Sequence, residues 1–340
     1  MDGRQGFAGR KGFDGLTTGQ RWHRLGEGGA ISIKREYVQM LDQVQKQKIA
    51  EGEGFIAALD QSGGSTPKAL KGYGIEEGAW SNDEEMFGLI HAMRSRIITS
   101  PVFTGDKVLG AILFERTMDG TVDGKPTPQA LIERGVVPFI KIDKGLEDEA
   151  NGVQVMKPNP DLDVLLHRAK ALGVFGTKER SVINLANREG IAAVVKQQFE
   201  IGQQVLAAGL MPIIEPEVNI KSPERAEADA ILLDELVKAL DALPADQQVM
   251  LKLSLPVQPG LFYPLVDHPR VLRVVALSGG FARPEACVEL AKNRGIIASF
   301  SRALLNDLRH QMSDDEFNAS LGEAIDEIHG ASVAKTPVAA

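Results

Sequence analysis

Short apolar runs alternate along this chain with segments in which apolar residues recur every three or four positions, and Gly, Pro, Ser or Asp punctuates most junctions. A short apolar run bounded by turn formers reads as a buried strand, and the longer periodic segments read as amphipathic helices. The strand runs are Phe55–Asp60 (FIAALD), Val108–Phe114 (VLGAILF), Val136–Asp143 (VVPFIKID), a weak one at Val174–Lys178 (VFGTK), Leu210–Glu217 (LMPIIEPE), Val249–Leu255 (VMLKLSL), Val271–Ser278 (VLRVVALS) and Ile296–Ser301 (IIASFS). Among the helices, Ser81 and Glu84 stand at capping-box spacing before a stripe of Met86, Ile90, Met93 and Ile97. Ile191, Val195, Phe199 and Leu206 form another stripe that stops near Gly209. Ser222 and Pro223 read as N-cap and first helical residue ahead of Leu232 and Leu236. Ser313 and Glu316 open a last helix with Phe317, Leu321 and Ile328 on one face and Gly330 at its end.

Eight strands alternating with helices predict a parallel sheet covered by helices. An open doubly wound sheet would leave two edges and need a switch-point site, so the repeat favours a closed (β/α)8 TIM barrel. Arg116–Gln129, rich in Gly, Asp, Thr and Pro, is expected to be a surface loop over the barrel mouth. Residues 1–30 lack apolar periodicity and are expected to be a flexible extension. Residues 31–340 are expected to be one barrel domain, including a C-terminal helix and a short flexible tail from Ala334 to Ala340.

Composition narrows the classes of function. The 340 residues are 43% hydrophobic and 25% charged, enough for a large core without disulfides or metal. Lys and Arg total 38 against 46 Asp and Glu, a net charge of -8 that disfavours nucleic acid but permits a small anionic substrate in a cleft lined by a few cations. No stretch approaches the roughly 20 apolar residues of a membrane span. Cys287, the single cysteine, forbids an intrachain disulfide and, beside Ala286 and Leu290, is expected to be a buried small hydrophobe rather than a nucleophile. In the first thirty residues Arg4, Arg10, Lys11, Arg21 and Arg24 dominate Asp2, Asp14 and Glu27, which leaves organellar targeting and a start-site artefact both open and argues against a secretory peptide.

The apolar runs end in polar residues of a particular kind: Asp60, Glu115, Lys141 with Asp143, Lys178, Glu215 with Glu217, Lys252, Ser278, and Ser301 with Arg302. Residues two apart on a strand share a face, so Lys141 and Asp143 project together, as do Glu215 and Glu217. Charged caps or interstrand ion pairs account for any one of these positions. The charges nevertheless penetrate the runs in IKID, IIEPE and LKLS, and a buried ammonium must be paired or neutral. A neutral Lys252 would attack a carbonyl and form an iminium ion, an electron sink for cleavage of a neighbouring carbon–carbon bond. Lys178 is the nearby positive group expected to lower its ammonium pKa, Glu215 and Glu217 the candidate proton shuttles, and Asp60 the group that holds or abstracts a substrate hydroxyl proton.

Anion recognition has two candidate sites. Ser278, Gly279 and Gly280 lead from a strand towards a helix, and Arg302 ends the next strand, the position of the phosphate site in many barrels. Ser62, Ser65 and Lys68 form a second cluster after the first strand, and two separated phosphate sites suit a bisphosphate. Neither glycine cluster fits a dinucleotide or Walker pattern, and His91, His167, His268 and His329 show no metal-ligand spacing, so metal dependence is not expected, with magnesium on Glu217 and Asp60 as the alternative.

These segments resemble the class I, Schiff-base-forming fructose-1,6-bisphosphate aldolases, over roughly Ile49 to Ala303. LDQSGGST is similar to the family's first-strand segment with Asp60, Ser62 and Ser65; IKIDKG places its substrate lysine at Lys141; TKERSVI places an active-site lysine at Lys178 and an arginine at Arg180. PIIEPE matches the paired glutamates Glu215 and Glu217, LKLSLP puts the Schiff-base lysine at Lys252, and LSGG with SFSRAL matches the phosphate segments at Ser278, Gly279 and Arg302. The resemblance implies reversible cleavage of fructose 1,6-bisphosphate, a phosphorylated sugar substrate, a cytoplasmic homo-oligomer (tetramer or dimer), no cofactor, and no nucleic-acid or membrane partner. Lys252 would carry the imine, with Glu215 as principal shuttle. Many relatives have Glu where this chain has Gln61 and Gly where it has Ser301, and the chain ends TPVAA without the terminal tyrosine of animal members. A lysine-dependent aldolase for another phosphosugar, a metal-dependent aldolase and a catalytically silent scaffold are the alternatives.

Overall fold

The computed structural model describes residues 40–336. The chain divides into two compact units, Met1–Val44 and Gln45–Ala340, and every element below belongs to the second. The expected extension over residues 1–30 lies outside the described residues, as do residues 337–340.

Eight parallel strands form the barrel: β1 (Phe55–Leu59), β2 (Val108–Leu113), β3 (Val137–Lys141), β4 (Gly176–Ile183), β5 (Met211–Val218), β6 (Val249–Ser254), β7 (Val271–Leu277) and β8 (Ile296–Ala298); a ninth, two-residue strand, Val153–Gln154, joins the sheet antiparallel to the end of β4. The eight pair in chain order, and the Ala58 amide donates to the Phe300 carbonyl at 3.0 Å, drawing β1 against the end of β8. The result is a nearly closed TIM barrel, as the alternation predicts. Inward-facing residues alternate with outward ones along each strand. The lower inward residues, among them Ile56, Ala58, Val137, Phe139, Ile213, Met250, Val275 and Ile297, pack as one apolar cluster. Outward residues join a second, larger cluster with the helices.

The weak fourth run is a full strand of eight residues, paired with β3 and β5. The stripe Met86, Ile90, Met93 and Ile97 is buried on the helix Asp83–Thr99 as expected, but its cap is one residue later: Asn82 accepts from the Glu85 amide at 3.0 Å. Asn caps as well as Ser, and Glu85 closes back on the Ser81 amide at 2.7 Å. Gly209, at φ +74°, follows the helix Arg188–Ala207. The next helix begins at Arg225, later than Ser222–Pro223 implies, because the Ser222 hydroxyl accepts from the Glu224 amide in a turn. Ser313 and Glu316 make the expected capping box, but the helix passes Gly330 and ends at Val333, with Ala331 and Ser332 buried.

Two expected loops are ordered structure. Arg116–Gln129 is not a long excursion: it contains most of the helix Glu115–Asp119, a hairpin of Thr121–Val122 with Lys125–Pro126, and the start of the helix Thr127–Glu133. Asp123 and Gly124, both at positive φ, make the tight turn, while Met118, Val122 and Thr127 are buried. The tail is not flexible at its start, since Lys335 donates to the carbonyls of Leu290, Ile296 and Ala331 and the Thr336 amide bonds to Ala291. Cys287 is buried as expected, and burial pushes its thiol up to about 12. No helix of the described residues is long and apolar enough to cross a membrane.

Candidate active site

At the C-terminal ends of the strands opens a cavity of about 740 Å³. The two-residue period that places Phe139, Ile213 and Met250 in the lower interior lifts Lys141, Glu215 and Lys252 to its floor. Every residue assigned a catalytic or phosphate-binding role from the sequence lines this cavity except Gly280, which lies beside it: Asp60, Ser62, Ser65, Lys68, Lys141, Lys178, Arg180, Glu215, Glu217, Lys252, Ser278, Gly279, Ser301 and Arg302; the strand-end Glu115 does not, and pairs with Lys144 and Arg168 instead.

Lys141 and Lys178 are register partners across β3 and β4, so two ammonium groups stand side by side. Carboxylates separate and neutralise them. Lys141 Nζ lies 2.6 Å from Asp143 Oδ1, and Lys178 Nζ lies 2.6 Å from Asp60 Oδ2, 3.1 Å from Glu215 Oε2 and 4.0 Å from Asp143 Oδ2. Lys252 Nζ lies 3.0 Å from Glu215 Oε1, so Glu215 bridges the two buried lysines. Three carboxylates (Asp60, Asp143, Glu215) thus balance three largely buried lysines (Lys141, Lys178, Lys252), which offsets the cost of removing them from water.

Two charges of this cluster, those of Asp60 and Lys178, are fixed by their partners. Burial works to raise the Asp60 pKa, but Lys178 and Lys252 outweigh it and hold the carboxyl well below the usual carboxylate range. Burial works to lower that of Lys178, but Asp60, Glu215 and Asp143 prevail and hold it well above the ordinary lysine value. Lys178, the positive group expected from the sequence to stand near Lys252, is not a lone cation. Lys178 is neutralised by Asp60 and Glu215, and the group facing Lys252 is a carboxylate.

Glu217 is turned to the other side, where its carboxylate pairs with Arg180 Nε. After β7, Gly279 (φ +59°) and Gly280 (φ +123°) hold a left-handed turn that a side chain would strain. A Cβ added at Gly280 would lie 3.5 Å from Arg302 Nη2, so this turn and the arginine after β8 converge. After β1, the Ser62 amide donates to Ser65 Oγ at 2.9 Å, with Lys68 on the same short helix, Ser65–Gly72. Among the described residues, the Lys68 and Arg302 side chains form no ion pair, unlike the other cavity cations, and are free to meet an anion.

Two residues at the site were given no functional role from the sequence. Asp143 was legible as sharing a face with Lys141, though not as the carboxylate between two lysines. Arg94, from the middle of the helix Asp83–Thr99, is fully buried, and its guanidinium donates to the Gln61 carbonyl at 2.5 Å and to Thr117 Oγ1 at 2.7 Å. Burial moves it down to about 10 against the attraction of Asp60. Among the described residues no group of three or more His, Cys, Asp or Glu residues is placed to hold a metal ion.

A model of the family described as fructose-bisphosphate aldolase class-I matches residues 40–261, which hold β1 to β6 and the whole lysine–carboxylate cluster. Among solved structures, the fructose-bisphosphate aldolase of Plasmodium falciparum, in a ternary crystal with TRAP and a small-molecule inhibitor, is 20% identical; the match covers 89% of this chain and 97% of that one at a TM-score of 0.70. At that identity the likeness concerns the fold. The family match spans well over half of the chain, and with the barrel and its paired lysines it shows that this protein belongs to the class I fructose-bisphosphate aldolase family.

Proposed function

We propose that the protein cleaves fructose 1,6-bisphosphate reversibly to dihydroxyacetone phosphate and glyceraldehyde 3-phosphate through an imine on Lys252. The observation that carries this reading is Glu215, set 3.0 Å from Lys252 and 3.1 Å from Lys178. Glu215 takes a proton from the Lys252 ammonium, and the freed amine adds to the C2 carbonyl. Glu215 then returns a proton to the carbinolamine oxygen, which leaves as water, and the iminium remains. Asp60, held anionic, receives the C4 hydroxyl proton as the C3–C4 electron pair moves into the iminium. Glyceraldehyde 3-phosphate leaves, and protonation of the enamine followed by hydrolysis releases dihydroxyacetone phosphate. Lys178 keeps its charge throughout and stabilises the anions beside it.

The turn at Ser278, Gly279 and Gly280, with Ser301 and Arg302, serves the phosphate nearest the imine. Ser62, Ser65, Lys68, Lys141 and Arg180 serve the opposite one, with Glu217 orienting Arg180. Borohydride trapping with dihydroxyacetone phosphate, followed by mapping of the adduct, tests the assignment. A stable adduct on Lys252 that Lys252→Met abolishes is expected, whereas an adduct on Lys178 overturns the division of roles. Equal cleavage of bisphosphate and monophosphate sugars would point instead to an aldolase for another phosphosugar.

A further inference from the structure

The two positions at which the chain departs from the family pattern around the phosphate site touch one another. Gln61, just past β1, donates from Nε2 to Ser301 Oγ at 2.6 Å, although 240 residues separate them in sequence. The other end of the same amide faces Arg94, whose Nη2 lies 3.3 Å from Gln61 Oε1 and 2.5 Å from the Gln61 carbonyl. Arg94 is fully buried, and none of its hydrogen bonds goes to a carboxylate.

A guanidinium only donates. Arg94 therefore fixes the Gln61 amide with its oxygen towards the helix and its NH2 group towards Ser301. Ser301 Oγ then receives a hydrogen from Gln61, and its single hydroxyl hydrogen is left to point elsewhere. Ser301 lines the cavity next to Arg302, where an anion is the acceptor on offer. With Glu at position 61 the direction reverses: a carboxylate accepts from Arg94 and from the serine, turns the hydroxyl away from the cavity and adds a negative charge nearby. With Gly in place of Ser301 there is no hydroxyl to turn, and Glu at position 61 becomes harmless.

We propose that Arg94 and Gln61 are positioning residues that set the Ser301 hydroxyl as a donor to the substrate phosphate nearest the imine, Gln61 and Ser301 forming a matched pair. This rests on the proposed imine chemistry, and its test separates the two. Borohydride trapping is followed as a function of concentration with dihydroxyacetone phosphate and with dihydroxyacetone, which forms the same imine without a phosphate. Gln61→Glu is expected to raise the half-saturating concentration of dihydroxyacetone phosphate about tenfold, the worth of a hydrogen bond to a charged group, and to leave dihydroxyacetone within about twofold. Ser301→Gly alone is expected to raise it about threefold, and adding Ser301→Gly to Gln61→Glu is expected to reverse most of the loss. An unchanged value for Gln61→Glu, an equal shift for both ketones, or additive losses in the double variant would overturn the relay. Failure of the unaltered protein to form any adduct would instead remove the imine reading on which it rests.

Discussion

The lower and upper halves of the barrel interior are built from the same strands, a single two-residue step apart, and are opposite in character. Phe139 and Lys141 share the inward face of β3, Ile213 and Glu215 that of β5, and Met250 and Lys252 that of β6. Below, side chains pack as in any hydrophobic core. Above, three lysines and three carboxylates form ion pairs with one another. The difference shows what the lower half contributes to the upper: above a packed apolar layer each ammonium must find a carboxylate, and that requirement places Glu215 beside Lys252. The apolar plug formed by the lower half thus shapes the charge pairing above it as well as the fold.

The upper half is most sharply tested by removing the charge that joins the two lysines. Glu215→Gln keeps the size of the side chain but, under the proposed mechanism, can no longer carry a proton between Lys252 and the carbinolamine. The expected loss in kcat is about 10²–10⁴-fold, with slowed imine trapping and a retained fold, because general acid–base groups contribute on this scale. Pre-steady-state trapping kinetics check it. Normal trapping in this variant would mean that another group moves the proton.

The lower half breaks differently. Phe139 is fully buried and meets Phe175 edge-on, with ring centroids 5.6 Å apart. Phe139→Ala opens a cavity under Lys141 and is expected to cost about 3–5 kcal/mol, read from denaturant unfolding. Activity per folded molecule should fall much less than in Glu215→Gln. An equal fall in activity at undiminished stability would show that the plug positions the lysines rather than supports them.

How far the sequence announces these two halves differs as well. The lower half is written in apolar runs, and the strand-end charges in those runs mark the upper half. β4 is the exception because neither of its faces is apolar: Lys178 and Arg180 face the cavity, while Thr177, Glu179 and Ser181 are buried away from it. Its eight-residue extent is imposed by pairing on both sides, which no local pattern reports. Arg94 is illegible for a related reason. In MRSRIIT it reads as a solvated helix position, and only the packing of that helix over the end of β1 buries it against Gln61. The cap shifted to Asn82 and the helix that runs through Gly330 show the same precedence of packing over local signals.

The two faces of β4 give the finest comparison, between two buried carboxyl groups of opposite tendency. Asp60 faces the lysines and is held low; Glu179 lies on the far side of the strand from the cavity, where burial comes first and repulsion by Asp143 adds to it, raising its pKa well above the ordinary glutamate value. Neither Glu179 oxygen has a hydrogen-bond partner among the described residues. By linkage, Asp60 stabilises the fold above its unfolded pKa of about 4, and that contribution is lost as the pH falls towards its lower folded value. Glu179 works in the other direction: its protonated form is tolerated below an unfolded pKa of about 4.3, and stability is lost as the pH rises from there towards its raised folded value. Glu179→Gln removes the second loss and leaves the first. The variant is expected to gain on the order of 1–2 kcal/mol at pH 8 and less at pH 5, while keeping the decline of the unaltered protein below pH 4. Urea unfolding at the three pH values decides the matter. A gain independent of pH would mean that Glu179 is already ionised and paired in the folded protein, and that the outer face of β4 is no different in kind from the inner one.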